Sequence, residues 1–440
     1  MNNAAGIDIG STSHWVSVPQ DRNTECVSSF GCFTADLYAL ADWLQQCGIE
    51  TVAMESTGVY WIPVFQILET RGFEVKLVNA HHVKTVPGRK SDVLDCQWLE
   101  QLHSYGLLSG SFRPENQVCA LRTYIRQRDS LIRSSSVHIQ RMQKALTEMN
   151  VQLHQVVSDI TGVTGMAIIR AIVEGEREPQ VLAALKHPAL RSSTTELVAA
   201  LTGDYRTEHV FVLQQELYLY EIYRTQVEAC DVHIEHCLSA FVDKVDVSES
   251  PLPKPKRAGK PSTNAPCFDL RTHLYRISGV DFTRIDGLGV LTVQTLLSEV
   301  GLDPKRFPTV KHFTSWLGLC PGSRITGGKV KSSQTRHVVN RAANALRMAA
   351  QSLSKSATAL GAFYRRTRAR LEPPKATTAT AHKLARIFDH LWTTGVEYID
   401  AGADYYEQNY RERVVKNLKK KAQQLGFDLV AQTASGESVS

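Results

Sequence analysis

Strand-like and helix-like segments alternate over the first hundred residues, and no other feature of the sequence constrains the fold as strongly. Four segments have the composition of short strands, and they are AAGIDIG, HWVSVPQ, TVAMES and FEVKLVNA. Two others place apolar residues at helical spacing, and they are DLYALADWLQQCG and WIPVFQILETRG. Because strands that alternate with helices are typical of parallel sheets, we expect an α/β domain over residues 1–114.

The rest of the chain is predicted to be mainly helical. Residues 115–245 contain two long segments with apolar residues every three or four positions, which predict either an antiparallel helix pair or a dimerising coiled coil. Residues 246–266 are rich in Pro, Ser, Lys and Gly, as in a flexible basic linker. Residues 267–440 predict a mostly helical domain with a glycine-rich loop at 318–328 and a basic helix near the end.

Composition excludes several classes of protein. No apolar run approaches the roughly 20 residues that cross a bilayer, and the N-terminus MNNAAGIDIG lacks the pattern of a signal peptide, so we expect a cytoplasmic protein with no membrane partner. The nine cysteines include no CxxC pair, which argues against a zinc site or a disulfide framework. The net charge of +6 is a mild bias toward nucleic acid.

Four carboxylates fall where an α/β domain would bring them together. Asp8 lies in the first predicted strand, Glu55 ends the strand TVAMES, and Asp92 and Asp95 share one face at a helix start. Strand ends and the loops that follow them meet at one edge of a parallel sheet. Clustered carboxylates repel each other unless a cation such as Mg²⁺ lies between them.

A purely structural interpretation of the same residues stays open at this point. Asp8 would then cap a turn, Glu55 would form a salt bridge, and Asp92 with Asp95 would cap a helix, where aspartate is favoured in any case. Spacing alone does not separate this interpretation from a metal site.

Four segments in order resemble the DEDD-type insertion-sequence transposases, also called bridge-RNA-guided recombinases and related to the Piv DNA invertases. The segments are IDIGSTSHW, AMESTGVYW, VNAHHVKTVPGRKSDVLDC and WLGLCPGSRITGGK. The resemblance implies an N-terminal RuvC-like (RNase H-like) domain with a Mg²⁺ or Mn²⁺ site at Asp8, Glu55, Asp92 and Asp95. It further implies homodimers or homotetramers that bind donor DNA, target DNA and a noncoding bridge RNA on the bacterial nucleoid.

The loop PGSRITGGK carries the expected nucleophile. In the resembling family a serine before a GG or GS pair attacks DNA and becomes linked to phosphate, and Thr326 stands at the matching position. Three explanations are open: threonine replaces serine as the native hydroxyl, the nucleophile is altered, or Ser323 does the work. We expect Thr326 to be the catalytic position, although its β-methyl group adds bulk and restricts χ1.

Basic residues near these motifs are candidates for nucleic-acid contacts. The segment RISGVDFTRIDGLGVLTVQTLLSEVG resembles a helix-hairpin-helix element that presents backbone N–H groups to phosphate, although a simple packing unit would have the same pattern. A single helical arginine is often only part of a solvated face. Taken as a group, the candidates are Lys84, Arg89, Lys90, Arg122, Arg126, Arg133, Lys329, Lys331, Arg336 and Arg341.

These features favour a transposase that cuts and rejoins DNA through a covalent hydroxyl-linked intermediate. One alternative is a RuvC-like, metal-dependent, structure-specific nuclease. A second is a decayed nucleic-acid-binding protein without catalysis. A sugar-kinase-like ATPase also begins with a strand similar to GIDIGST, but no matching phosphate loops follow.

Overall fold

The computed structural model describes residues 3–79, 91–255, 263–336 and 338–430. It divides the chain into two compact units, Met1–Arg113 and Pro114–Ser440. The division lies one residue before the predicted end of the first domain at residue 114. None of the described helices has the length and apolarity needed to cross a membrane.

A five-stranded mixed sheet forms the first unit, and its strand order is β3-β2-β1-β4-β5. Strands β1, β4 and β5 are parallel, whereas β2 and β3 are antiparallel neighbours on one side. The predicted α/β fold is confirmed. The elements are β1 (Ala4–Ile9), β2 (Ser13–Ser17), β3 (Val27–Gly31), α1 (Thr34–Gln46), β4 (Thr51–Glu55), α2 (Trp61–Thr70), β5 (Glu74–Val78) and α3 (Asp92–Ser104).

The two faces of this sheet carry different side chains. Ile7 and Val16 are paired across β1 and β2, and they pack with Leu40 and Leu68 of α1 and α2 in one apolar core. Because side chains alternate along a strand, Gly6 and Asp8 lie on the opposite face. Helix α3 covers that second face.

Two antiparallel helices of 33 residues each run through the second unit, α4 (Asn116–Glu148) and α9 (Thr207–Ser239). Contacts between residues 128 and 231 and between 138 and 216 establish the antiparallel register. Four short helices pack against one end of the pair, formed by the C-terminal part of α4 and the N-terminal part of α9, in a separate apolar core. They are α5 (Leu153–Val156), α6 (Val163–Glu174), α7 (Pro179–Ala184) and α8 (Thr194–Leu201).

The other end of the helix pair, formed by the N-terminal part of α4 and the C-terminal part of α9, shares a core with the C-terminal helices. Leu121 and Ile234 belong to the same apolar cluster as Leu296 and Phe388. The predicted helical region and the predicted C-terminal domain are thus joined by packing, and residues 256–262 of the linker lie outside the described residues. The elements are α10 (Leu270–Ser278), α11 (Val290–Val300), α12 (Val310–Trp316), β6 (Arg324–Thr326), β7 (Lys329–Ser332), α13 (Arg341–Ser352), α14 (Ala359–Arg370), α15 (Pro373–Thr394) and α16 (Ala403–Gln424).

The segment that resembles a helix-hairpin-helix element consists of α10, a short 3-10 helix at Phe282–Arg284 and α11. Gly287 in its turn has a φ of +89°, and a Cβ there would lie 2.9 Å from the Ala349 carbonyl oxygen of α13. The glycine therefore serves the packing of this turn against α13. Phosphate binding by the turn stays a prediction.

Candidate active site

Asp8 and Glu55 lie side by side at the carboxyl edge of the sheet. In the parallel pairing of β1 with β4, Ile7 lies opposite Met54. Asp8 directly follows Ile7, and Glu55 directly follows Met54. Adjacent strands lie about 4.8 Å apart, so the two backbones hold the side chains next to each other. Both residues are half-buried.

The backbone of helix α3 packs directly against that of β1 at Gly6. A Cβ on Gly6 would lie 2.3 Å from the backbone nitrogen of Glu100 and 2.4 Å from the carbonyl oxygen of Cys96. Only glycine permits this approach, because any side chain would collide with the helix backbone. The contact fixes the position of α3 over β1.

A second contact sets the direction of the helix. His103, near its C-terminus, places Nε2 2.9 Å from Oγ1 of Thr51, which starts β4. Helix α3 therefore runs from the carboxyl edge of the sheet toward the opposite edge. From Cys96 back to Asp92 the helix rises about 6 Å, and from Gly6 to Asp8 the strand advances about 7 Å. The first turn of α3 thus lies level with Asp8.

The acidic pair on α3 occupies this first turn. Ser91 caps the helix, because its side chain accepts a hydrogen bond from the Leu94 backbone N–H at 3.3 Å. Asp92 is exposed and Asp95 is half-buried. The N-terminus of a helix carries a partial positive charge that favours carboxylates.

The pKa of the buried Cys96 thiol depends on carboxylates of both segments. Burial is the main cause that raises its pKa to about 12, and the charges of Asp8 and then Asp95 raise it further. One carboxylate from the sheet and one from α3 therefore both lie close to the same buried thiol. This is the strongest sign that the two segments form a common acidic edge, which we define as Asp8, Glu55, Asp92 and Asp95.

The donor types of the acidic edge fit a divalent cation that prefers oxygen ligands. Carboxylates from three separate segments reach one edge of the sheet, as the sequence predicts. In the part of the chain that the structure describes, no three side chains of His, Cys, Asp or Glu are close enough together to hold a metal ion. The assignment of all four residues as ligands therefore stays a prediction.

The predicted phosphate contacts beside the acidic pair fall between β5 and α3. Lys84, Arg89 and Lys90 belong to residues 80–90, which lie outside the described residues.

Thr326, the predicted nucleophile, ends strand β6 of an exposed hairpin in the second unit. It pairs with Lys329 across a two-residue turn made by Gly327 and Gly328. Their φ angles of +57° and +75° are those of a type I′ turn, which requires positive φ at both central positions. The glycine pair thus forms the hairpin and leaves the Thr326 side chain in solvent.

The base of this hairpin is held by backbone contacts and one arginine. The Gly322 N–H donates to the Gln334 carbonyl oxygen at 2.8 Å. Arg336, a predicted nucleic-acid contact, donates to the carbonyl and hydroxyl oxygens of Ser315 at 2.8 and 2.7 Å. Lys329 and Lys331 are exposed on β7, and their contact with phosphate stays a prediction.

Two of the arginines predicted to bind nucleic acid join α4 to α11. Arg122 donates to the carbonyl oxygens of Ser298 and Glu299 at 2.9 and 3.2 Å. Arg126 holds the Glu299 carboxylate with bonds of 2.8 and 2.9 Å from Nη2. These guanidinium groups have an intramolecular role at the C-terminal end of α11, and any contact with nucleic acid stays a prediction.

Two further arginines predicted to bind nucleic acid, Arg133 and Arg341, are exposed to solvent. Arg133 is exposed on α4. Arg341 starts α13 and lies 4.0 Å from Asp129, with 43% of its side chain exposed. Burial raises the pKa of Asp129, and the charge of Arg341 opposes that shift.

Sequence reasoning missed the residues that position the acidic edge. Gly6 was a usable signal, because glycine inside a buried strand marks a close backbone approach. The bond between His103 and Thr51 joins residues 52 positions apart, and no local pattern reports it.

Two family models match parts of the chain. Residues 5–151, which include the acidic edge, match the family model of IS110 DEDD transposases. Residues 281–365, which include the hairpin, match the model described as transposase IS116/IS110/IS902 family. No curated protein sequence matches the chain. Transposase domains of the DEDD type generally use divalent metal ions. The chain belongs to the IS110 family of DEDD insertion-sequence transposases.

Proposed function

We propose that this transposase cuts and rejoins DNA through a covalent bond between Thr326 and a DNA phosphate, guided by a noncoding RNA of its own element. The observation that carries the proposal is the position of the Thr326 hydroxyl, which is exposed beside a type I′ turn. Lys329, which pairs with Thr326, and Lys331 carry positive charge on the adjoining strand, and this charge would suit a phosphate at the hydroxyl.

The proposed reaction conserves phosphodiester bonds. Oγ1 of Thr326 forms a bond to phosphorus, the bond from that phosphorus to one deoxyribose oxygen breaks, and the threonine proton is released. The freed DNA hydroxyl takes up a proton. A hydroxyl of a second DNA end then attacks the phosphothreonine, which restores a phosphodiester and the threonine hydroxyl. No external energy source is needed, because the covalent link keeps the bond energy.

The acidic edge would hold the divalent metal, which supplies charge stabilisation at the phosphate. Asp8 and Asp95 are two of the proposed ligands, and both lie close enough to Cys96 for their charges to raise the pKa of its thiol. Glu55 and Asp92 complete the set, and Mg²⁺ and Mn²⁺ both suit such oxygen donors. The acidic edge and Thr326 belong to different compact units. We propose that they form a composite site between protomers of a homodimer or homotetramer.

A covalent-trapping assay tests the proposal. Purified protein is incubated with Mg²⁺, the RNA encoded beside the element, and labelled donor and target DNA, and the products are separated on denaturing gels. We expect a protein–DNA adduct with the native chain and with Thr326→Ser. Thr326→Val, which keeps the shape but removes the hydroxyl, should abolish it.

Matched variants separate the competing explanations. Ser323→Ala should leave the adduct intact, and its loss there would move the nucleophile to Ser323. Asp8→Asn should abolish the adduct, whereas Glu25→Gln, at an exposed acidic position of the first unit, should not. Cut DNA without an adduct, unaffected by Thr326→Val, would contradict the proposal and favour a hydrolytic nuclease.

A further inference from the structure

A groove on helix α15 contains a concentration of positive charge that the proposed reaction does not use. Its volume is about 600 Å³, and it runs along α15 from Ala379 to Thr393. The side chains that line it include Lys383, Arg386 and His390. Helix α15 lies beyond residues 281–365, which match the family model, whereas Val310 and Phe363 of the groove lie within that range.

Lys383 is held in the groove by two aromatic rings. Its Nζ lies 4.4 Å from the ring centre of Phe363 on α14 and 5.5 Å from that of Tyr406 on α16. The two rings meet edge to face at 6.2 Å. Helices α14, α15 and α16 thus converge on one ammonium group.

The charges around Lys383 are of the same sign. Burial lowers the pKa of Lys383, and the guanidinium groups of Arg413 and Arg386 lower it further. Burial, followed by Arg386, also lowers the pKa of His382. Like charges in this arrangement repel each other, and an anion between them would relieve that repulsion.

Few carboxylates lie near the three cations Lys383, Arg386 and Arg413. Of the residues that the structure describes, none with a carboxylate forms an ion pair with Lys383, Arg386 or Arg413. The groove's own acidic residue, Asp389, is only 7% exposed, and burial raises its pKa. Lys383 and Arg386 therefore line the groove without a carboxylate ion-pair partner among the described residues.

We propose that this groove binds consecutive phosphate groups of a nucleic-acid backbone. The stretch from Ala379 to Thr393 spans about 21 Å of helix, which is too long for one small anion and suits several phosphates of a polymer. Further lysines continue along exposed α16 at positions 416, 419, 420 and 421. The inference rests on the chain acting on nucleic acid, and it is independent of the metal ligands and of Thr326.

Fluorescence anisotropy of the full-length chain tests the groove. Labelled 30-mers of duplex DNA, single-stranded DNA and single-stranded RNA are titrated with protein in EDTA over a series of salt concentrations, so that no cleavage contributes. The variant is Lys383→Gln combined with Arg386→Gln. The matched control is Lys375→Gln on the same helix, a position with 66% side-chain exposure outside the groove.

We expect the double variant to bind at least one polymer about tenfold more weakly. The slope of log affinity against log salt should fall by about 1.4 for a single strand or 1.8 for a duplex, as for two lost phosphate contacts. Lys375→Gln should bind like the native chain, and Lys383→Arg with Arg386→Lys should restore binding. The polymer that loses affinity identifies the natural occupant.

Two outcomes would overturn the inference. One is native affinity and slope of the double variant for all three polymers, and the other is an equal loss with Lys375→Gln, which would mean a bulk charge effect. Arg386→Gln alone, at an exposed position, provides the measurement if the double variant melts at a lower temperature than the native chain. Because the assay needs no catalysis, loss of the adduct in Thr326→Val would not affect it.

Discussion

At the scale of single residues, Gly6 decides where half of the acidic edge lies. Its missing side chain lets α3 rest directly on β1, and this places Asp92 and Asp95 level with Asp8. A residue without chemistry of its own therefore sets the geometry on which the chemistry depends.

We predict that Gly6→Ala lowers the free energy of unfolding by at least about 3 kcal/mol, since the new Cβ meets backbone atoms that cannot turn aside. Urea unfolding measures the effect. Gly110→Ala in the same unit is the matched control, because its nearest neighbour is the flexible side chain of Lys76 at 3.1 Å. Equal stability of the two variants would show that α3 does not lie against β1 as described.

A second prediction concerns His103 and pH. Burial, reinforced by the charge of Lys76, lowers the pKa of this buried imidazole below its ordinary value of 6.5. In the unfolded chain the ring takes up a proton near pH 6.5, and in the folded chain it does so only at a lower pH. The unfolded state therefore binds more protons below that pH, and stability must fall as the solution is acidified.

Urea unfolding at pH 7.5 and 5.5 measures this dependence. The native chain should lose more stability on acidification than His103→Gln does. The buried His14, whose pKa burial also lowers, contributes a residual loss of the same sign. His236→Gln, at an exposed position, should retain the native pH dependence. An identical pH dependence in His103→Gln would contradict the assignment.

At the scale of elements, a buried ion pair fixes the register of the two long helices. Arg128 Nε of α4 lies 2.5 Å from Oδ1 of Asp231 in α9, and each side chain is only 3% exposed. Arg128 also donates to the Asn264 carbonyl oxygen at 3.0 Å. Asp231→Leu should destabilise the chain by about 3–5 kcal/mol, because it leaves a buried guanidinium without its partner.

Thermal unfolding distinguishes this effect from general damage. Arg128→Met together with Asp231→Leu should recover most of the lost stability, since apolar pairs replace buried ion pairs well. Lys144→Gln removes the exposed contact with Glu148 and should change stability by less than about 1 kcal/mol. A double variant as unstable as Asp231→Leu alone would contradict the prediction.

The hairpin turn gives another prediction at this scale. Gly327→Val should abolish the covalent adduct while the melting temperature stays near that of the native chain, because a β-branched residue resists a φ of +57°. Gly327→Asn, which tolerates positive φ, is the control and should retain the adduct. Full adduct formation by Gly327→Val would show that the turn does not position Thr326.

Elements with strong periodicity were predictable from sequence, and contacts between distant segments were not. Strand β1, helix α4 and the edge that collects the carboxylates follow from local patterns. Strand β3 was missed, because Val-Ser-Ser-Phe-Gly at the edge of the sheet has neither an apolar run nor strict alternation. The glycine-rich loop was expected as an irregular segment, yet Gly327 and Gly328 organise a hairpin. The roles of Arg122 and Arg126 depend on Glu299, which is more than 170 positions away.

At the scale of the whole molecule, the chain separates its proposed catalytic parts. The first unit holds the carboxylates, and the second holds Thr326. Each unit has an apolar core of its own among the described residues, since the core cluster of Ile7 and Leu40 consists of first-unit residues and that of Leu121 consists of second-unit residues. The carboxylates should therefore bind a metal whether or not the second unit is attached.

We predict that the fragment Met1–Arg113 folds cooperatively and that Mg²⁺ or Mn²⁺ raises its melting temperature. A cation that binds only the folded state stabilises it by about 1.4 kcal/mol at ten times its dissociation constant. Differential scanning fluorimetry with increasing Mg²⁺ or Mn²⁺ measures the shift, and EDTA should reverse it. Asp8→Asn should remove the shift, whereas Glu25→Gln, at an exposed acidic position on the same unit, should keep it. If the fragment folds but neither ion changes its melting temperature, the assignment of the acidic edge as a metal site is contradicted. An equal shift in both variants would mean that the ions bind surface charge elsewhere.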